Sequence, residues 1–232
     1  LVIVTYFMVK SFLIIIILQM FIYAKEQIIL VVGDDYDSKS AVLTCFEKNM
    51  KVFTPIKVNV GKRGFGWGEE TGLLKKEDVV LKYEGDKKAP IGIFSIDALF
   101  GYDKNDKVKM PYIHATKEMI CVDDSNSPFY NRIIKKDNNL PNSFEEMRRD
   151  DSQYKFGIVV GYNKSRLKQR GSCIFLHVQK AQAEPTAGCT SMREEDIKKI
   201  IKWLDKDKNP ILIQVTKKEM EQVLKIYPAL EF

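Results

Sequence analysis

Apolar and polar positions along the chain alternate or run together in short blocks, and most of those blocks have the length of strands. Gln27 to Gly33 (QIILVVG) is a β-branched run closed by a glycine and an Asp-rich turn, which predicts a strand. Residues Lys39 to Met50 place their apolar positions at helical rather than alternating spacing and predict a short helix. Ile56 to Val60 (IKVNV) alternates as a half-buried strand does, Val79 to Tyr83 (VVLKY) predicts another, and the turn-rich stretch from Lys87 to Phe94 leads into a third.

From 101 to 153 the pattern becomes polar and is broken by Pro111, Pro128 and Pro141. One capped short helix is expected at Ser143 to Glu146. The aromatic residues Tyr102, Tyr112, Phe129 and Tyr130 predict an ordered segment covering a site rather than a free linker. Beyond it, Gly157 to Gly161 (GIVVG) and Cys173 to Val178 (CIFLHV) read as buried strands. On the second of these, Ile174, Leu176 and Val178 share the face suited to a core, which turns His177 to the opposite side. Ser191 and Glu194 have capping-box spacing ahead of a helical stripe of Ile197, Ile200, Ile201 and Leu204. A strand at Pro210 to Val215 and an amphipathic helix over 217–227 follow.

The first 24 residues have a different character. Lys10 is their one charge, and Ser11 to Ala24 (SFLIIIILQMFIYA) is an apolar block of fourteen residues ending in alanine. A basic start, an apolar middle and a small-residue end describe a secretory signal, whereas a spanning helix needs about 20 apolar residues. We therefore expect a cleaved leader or N-terminal anchor at 1–24, a single catalytic domain at 25–232, and membrane attachment only through that leader.

Composition adds a few bounds. With 45% apolar and 29% charged residues, the chain of 232 residues has the makeup of a globular domain. Its net charge of +6 comes from alternating Lys and Asp/Glu, without the basic stripe and interleaved aromatics that follow a phosphate backbone, so nucleic acid is not an expected partner. The glycine-rich stretch Gly61 to Gly68 lacks the spacing of a phosphate loop and reads as a flexible loop, either an ordinary turn or one in which Trp67 lies along a substrate. No motif asks for a cofactor.

Candidate chemistry concentrates in one place. His177, one of two histidines, stands twelve positions before Cys189, which lies between Gly188 and Thr190 in a loop with Pro185. A nucleophilic cysteine needs a base in reach, and His114 has no cysteine at comparable spacing. A position just ahead of a helix N-terminus would favour a thiolate at Cys189. A zinc site of Cys173, His177 and Cys189 is disfavoured, since residues four apart on a strand lie about 13 Å apart. Of the four cysteines, three remain beside a reduced Cys189, which leaves room for at most one disulfide of unspecified pairing.

These residues carry a resemblance. IFLH at Ile174 to His177, followed by PTAGC at Pro185 to Cys189, resembles the L,D-transpeptidase catalytic-domain family of the YkuD type. Val58 to Lys62 (VNVGK), Ala89 to Phe94 (APIGIF) and Gly157 to Gly161 also fit it, over roughly residues 50 to 216. The arginine that many members carry two residues after the cysteine is absent here.

The resemblance implies a mainly β fold, two sheets packed as a sandwich with a few helices. It also implies export to the periplasm or cell envelope and peptidoglycan stem peptides as substrate. Cys189 would be the nucleophile and His177 the base, with Gly188 and Thr190 shaping the oxyanion site. Trp67, Tyr112, Tyr162 and Asn163 are candidate substrate contacts. An L,D-carboxypeptidase and a catalytically silent wall-binding domain are the competing readings.

Overall fold

The structure is a computed structural model that describes residues 26–69, 71–76, 80–104 and 107–230. The expected leader at 1–24 lies outside them. Strand β1 (Gln27–Gly33) is buried at every position, as its unbroken apolar run requires. The segment read as a helix is instead β2 (Ser40–Glu47), joined to β3 (Met50–Lys51) by Lys48 and Asn49 in left-handed conformations. Its Val42-Leu-Thr-Cys-Phe46 run suits a pleated surface, and pairing with β1 from Gly33↔Ala41 to Gln27↔Glu47 outweighs the weaker helical spacing.

The remaining strands are β4 (Ile56–Asn59), β5 (Phe65–Trp67), β6 (Ala89–Gly101), β7 (Tyr112–His114), β8 (Met119–Val122), β9 (Ile133–Lys135), β10 (Phe144–Glu146), β11 (Phe156–Val160), β12 (Phe175–Val178), β13 (Thr190–Met192) and β14 (Ile211–Thr216). Among the described residues the α-helices are α1 (Glu194–Trp203) and α2 (Met220–Ile226). The fold is therefore mainly β with a few helices, as expected.

Three local expectations change. Ser143 to Glu146 is not a helix but ends in β10, which pairs with β8. Leu81 makes only an isolated bridge to Trp67, so no strand runs from 80 to 83. The capping box does not form: Ser191 lies within β13, and α1 starts after Arg193 with no side-chain cap.

Pairings run β1–β14–β6–β11–β12–β13–β4–β2 and return to β1, so the walls of the sandwich are continuous at both edges. Leu30, Leu43, Ile91, Leu99, Leu176 and Ile213 are fully buried between them. Ile197, Ile200 and Ile201 of α1 pack onto this core. Each such side chain contributes roughly 1.5–3 kcal/mol by leaving water.

Strand β12 separates two environments. Ile174, Leu176 and Val178 belong to the main core, while Cys173 and Phe175 join a second cluster with Phe100, Ala115, Cys121, Met147, Tyr154 and Cys189. That second cluster lies beneath a three-stranded antiparallel sheet, β10-β8-β9. The polar middle of the chain thus folds into a cover over the outer face of β12. A disulfide between Cys121 of β8 and Cys173 ties the cover down.

Candidate active site

Strands β12 and β13 run parallel, with Leu176↔Thr190, His177↔Ser191 and Val178↔Met192 in register. One step earlier, Cys189 lies beside Phe175, whose N–H donates to the Cys189 sulfur at 3.3 Å. Paired residues of neighbouring strands face the same side, and so do residues two apart on one strand. Cys189 and His177 therefore project from the same face, one strand over and two residues along. Strand spacing sets their α-carbons roughly 8 Å apart, a gap short enough for a thiol and an imidazole to span.

The PTAGC loop is built for this delivery. Thr186 Oγ1 accepts the Gly188 N–H at 3.1 Å and donates to the Cys189 carbonyl at 2.6 Å, so one hydroxyl fixes the turn. Gly188 has φ +143°, and a Cβ there would stand 2.9 Å from the Lys88 carbonyl oxygen. A larger residue would push the loop, and Cys189 with it, away from β12.

His177 Nδ1 lies 2.8 Å from the Val178 carbonyl oxygen. A carbonyl only accepts, so Nδ1 carries the hydrogen and Nε2 keeps its lone pair. The Tyr154 ring stands edge-on to the imidazole at 5.3 Å. Burial pushes the His177 pKa down to about 4, and burial pushes the Cys189 thiol up to about 12, with the nearby Glu145 charge adding to it. The thiol donates to the Cys173 carbonyl at 3.4 Å. At neutral pH Cys189 rests as a neutral thiol and His177 as a neutral imidazole.

A model of the L,D-transpeptidase catalytic domain matches residues 29–213. The chain belongs to that family. No curated protein and no solved structure matches it. Family membership accounts for the mainly β fold and supports L,D-transpeptidase-type, cell-wall-related chemistry.

Within this L,D-transpeptidase domain two expectations about the nucleophile change. Cys189 does not adjoin a helix N-terminus, because β13 intervenes and α1 begins only at Glu194, so no helix dipole lowers its pKa. Nor does it sit on an open loop: Cys189 is 7% and His177 4% exposed beneath the cover sheet. Cys173 is bonded to Cys121 and holds no free thiolate for a metal, which removes the zinc trio. His114 is half-buried on β7, its Nε2 3.1 Å from the Tyr102 carbonyl oxygen.

Each of the other candidate contacts is built into the fold, and Tyr162 also lines a groove beside β12. Trp67 is 1% exposed on β5 in the main core, because its strand pairs with Ala89 to Ile91 instead of forming an open loop. Tyr162 donates to the Arg170 carbonyl and packs edge-on against Phe94 in the same core. The Asn163 amide donates to Leu167 O at 3.0 Å and Gly171 O at 2.9 Å, holding the loop before β12 together. Tyr112 donates to Asp103 O at 2.6 Å at the sheet edge. Thr190 Oγ1 donates to Gln214 Oε1 at 2.6 Å, away from the outer face, so its side chain fixes β13 from below. The Gly188 N–H is engaged by Thr186, which makes Gly188 a positioning residue of the turn in this conformation.

Tyr154, Glu145, Arg149 and Lys82 were not singled out from the sequence. The Tyr154 hydroxyl donates to Glu145, whose pKa burial raises. Arg149 stands over the Tyr154 ring at 5.2 Å and forks onto Asp151, holding that carboxyl well below the usual range. Lys82 is 4% exposed and pairs with Asp86 at 3.0 Å, and its ammonium would lie 3.5 Å from a Cβ at Gly188. Nothing in the local pattern marks these residues, since the cover and the turn before β6 bring them in from distant parts of the chain.

Proposed function

We propose that the protein is an exported cysteine L,D-transpeptidase acting on peptidoglycan stem tetrapeptides. The observation that carries this reading is the shared outer face of Cys189 and His177, with Nδ1 tied to Val178 O so that Nε2 is the basic nitrogen. From a neutral pair, proton transfer accompanies attack. The thiol proton passes to His177 Nε2 as the sulfur bonds to the carbonyl carbon at the L-centre of the stem's diamino acid. The Cys189 amide and the ammonium of Lys82 favour the negative charge that develops on the carbonyl oxygen. Collapse expels the amine of the terminal D-alanine, which takes its proton from the imidazolium and leaves a thioester. An acceptor amine then attacks the thioester, His177 takes its proton, and the thiol is restored.

Two features support the finer parts of this reading. A disulfide between Cys121 and Cys173 is a bond of oxidising compartments, which fits an exported protein. The burial of both catalytic groups beneath the cover sheet fits transfer to an amine better than hydrolysis, because an enclosed thioester is shielded from water. Incubating the purified protein with stem tetrapeptides and an amine acceptor, and reading products by mass, tests the reaction. Cross-linked or exchanged peptides are expected; bare tripeptide alone would assign it as a carboxypeptidase. Turnover that survives Cys189→Ala would refute the assignment of the nucleophile.

A further inference from the structure

A groove of about 490 Å³ is lined by residues of the cover sheet and of the main sheet; Cys189 and His177 do not themselves line it, but their neighbours Cys173 and Phe175 do. Its lining includes Phe175 and both cysteines of the Cys121–Cys173 disulfide. Phe175 and Cys173 adjoin the nucleophile directly, since Phe175 N–H and Cys173 O are the two hydrogen-bond partners of the Cys189 sulfur. Ile113, Ile133 and Val159 make the lining apolar. The charged part of the lining is cationic, with Arg132, Lys164 and Arg166 against the single carboxylate Asp97.

The cations differ in what they already hold. Lys164 is committed to Asp97 at 3.0 Å and to Ser95 Oγ at 3.2 Å. Among the described residues no carboxylate lies within ion-pair distance of Arg132 or Arg166, although both side chains are exposed and line the groove. An apolar groove that abuts the two hydrogen-bond partners of the Cys189 sulfur and carries two guanidiniums in its lining matches a short anionic peptide. Guanidinium groups are also the side chains that bind a carboxylate by paired, charge-assisted hydrogen bonds.

We propose that this groove receives the donor peptide and that Arg132 and Arg166 hold one of its free carboxylates, so that the protein discriminates against stems in which that carboxylate is a primary amide. This rests on the acyl-transfer reading above and specifies its substrate. Arg132 and Arg166 act as specificity residues, and the chemistry at Cys189 proceeds without them.

The test uses the full chain carrying Cys189→Ala, which stops turnover, titrated calorimetrically with a synthetic stem tetrapeptide and with its twin bearing primary amides in place of the carboxylates other than the terminal one. The free acid should bind at least about tenfold tighter than the amide, the scale of one charge-assisted contact pair. Arg132→Gln with Arg166→Gln should remove that preference. Arg132→Lys with Arg166→Lys should keep part of it, which separates lost charge from a disturbed fold. Lys48→Gln with Lys225→Gln, an equal change of net charge far from the groove, should leave it intact. Equal binding of the two peptides, no binding of either, or a preference that survives the glutamine pair would each overturn the proposal. Release of D-alanine by the active protein is read separately. No release from either peptide would sink the acyl-transfer reading, whereas equal kcat/KM for both would sink the groove assignment alone.

Discussion

The Cys121–Cys173 disulfide holds the cover sheet over Cys189, and Cys121→Ser with Cys173→Ser removes that tie. The linked residues are 52 positions apart. Closing a loop of that length restricts the unfolded chain by about 4 kcal/mol. Most of the chain between the two cysteines is the cover and its connections, and its strands have only three or four residues each. The loss should therefore fall first on the opening of the cover rather than on the main core. If all of it went into local opening, the open population would rise by about three decades, and roughly tenfold is the smallest rise consistent with a tie that matters.

Alkylation by iodoacetamide, resolved by peptide mass, measures this directly. Cys45 provides an internal control, because it is 1% exposed on β2 in the main core and burial pushes its pKa up to about 12, as at Cys189. In the double-serine variant Cys189 should react at least tenfold faster while Cys45 stays slow. An unchanged rate at Cys189 would show that the disulfide does not gate the site. Parallel acceleration of both cysteines would mean that it stabilises the whole domain instead.

Other consequences follow from the site. His177 has a folded pKa near 4 against an ordinary value of 6.5, so the unfolded chain binds the extra proton between those pH values. Its neutral burial contributes about 3 kcal/mol above pH 6.5, lost as pH falls towards 4, and His177→Gln should flatten the acid limb of urea midpoints measured over that range. Gly188→Ala places a Cβ against Lys88 O at a left-handed φ, which should cost roughly 1–3 kcal/mol in chemical denaturation and depress D-alanine release more than a surface substitution of equal cost would. A variant as stable and as active as the parent would show that the turn tolerates displacement.

The β character of the chain, most strands of the main core and the residues of the proposed catalytic pair were legible in the sequence. Gln27 to Gly33, Gly157 to Gly161 and Pro210 to Val215 are apolar runs whose composition admits little else, and alternation along β12 separates Leu176 from His177 without reference to the rest of the fold. Thr186, Gly188 and Cys189 lie close together in the chain, so the turn they make is a local property. Residues 39–50 have helical spacing yet form a strand, because a segment that pairs along its length with β1 takes its conformation from that partner. Trp67 was assigned to the surface for the same reason: its glycine-rich surroundings look mobile until Ala89 to Ile91 cover them. The disulfide pairing, the burial of Cys189, the neutral resting state of Cys189 and His177 and the cluster of Tyr154, Glu145 and Arg149 were decided only by tertiary structure. Each depends on the cover sheet folding onto β12 from more than 25 positions away, and desolvation is a property of what surrounds a group in space rather than of its neighbours in sequence.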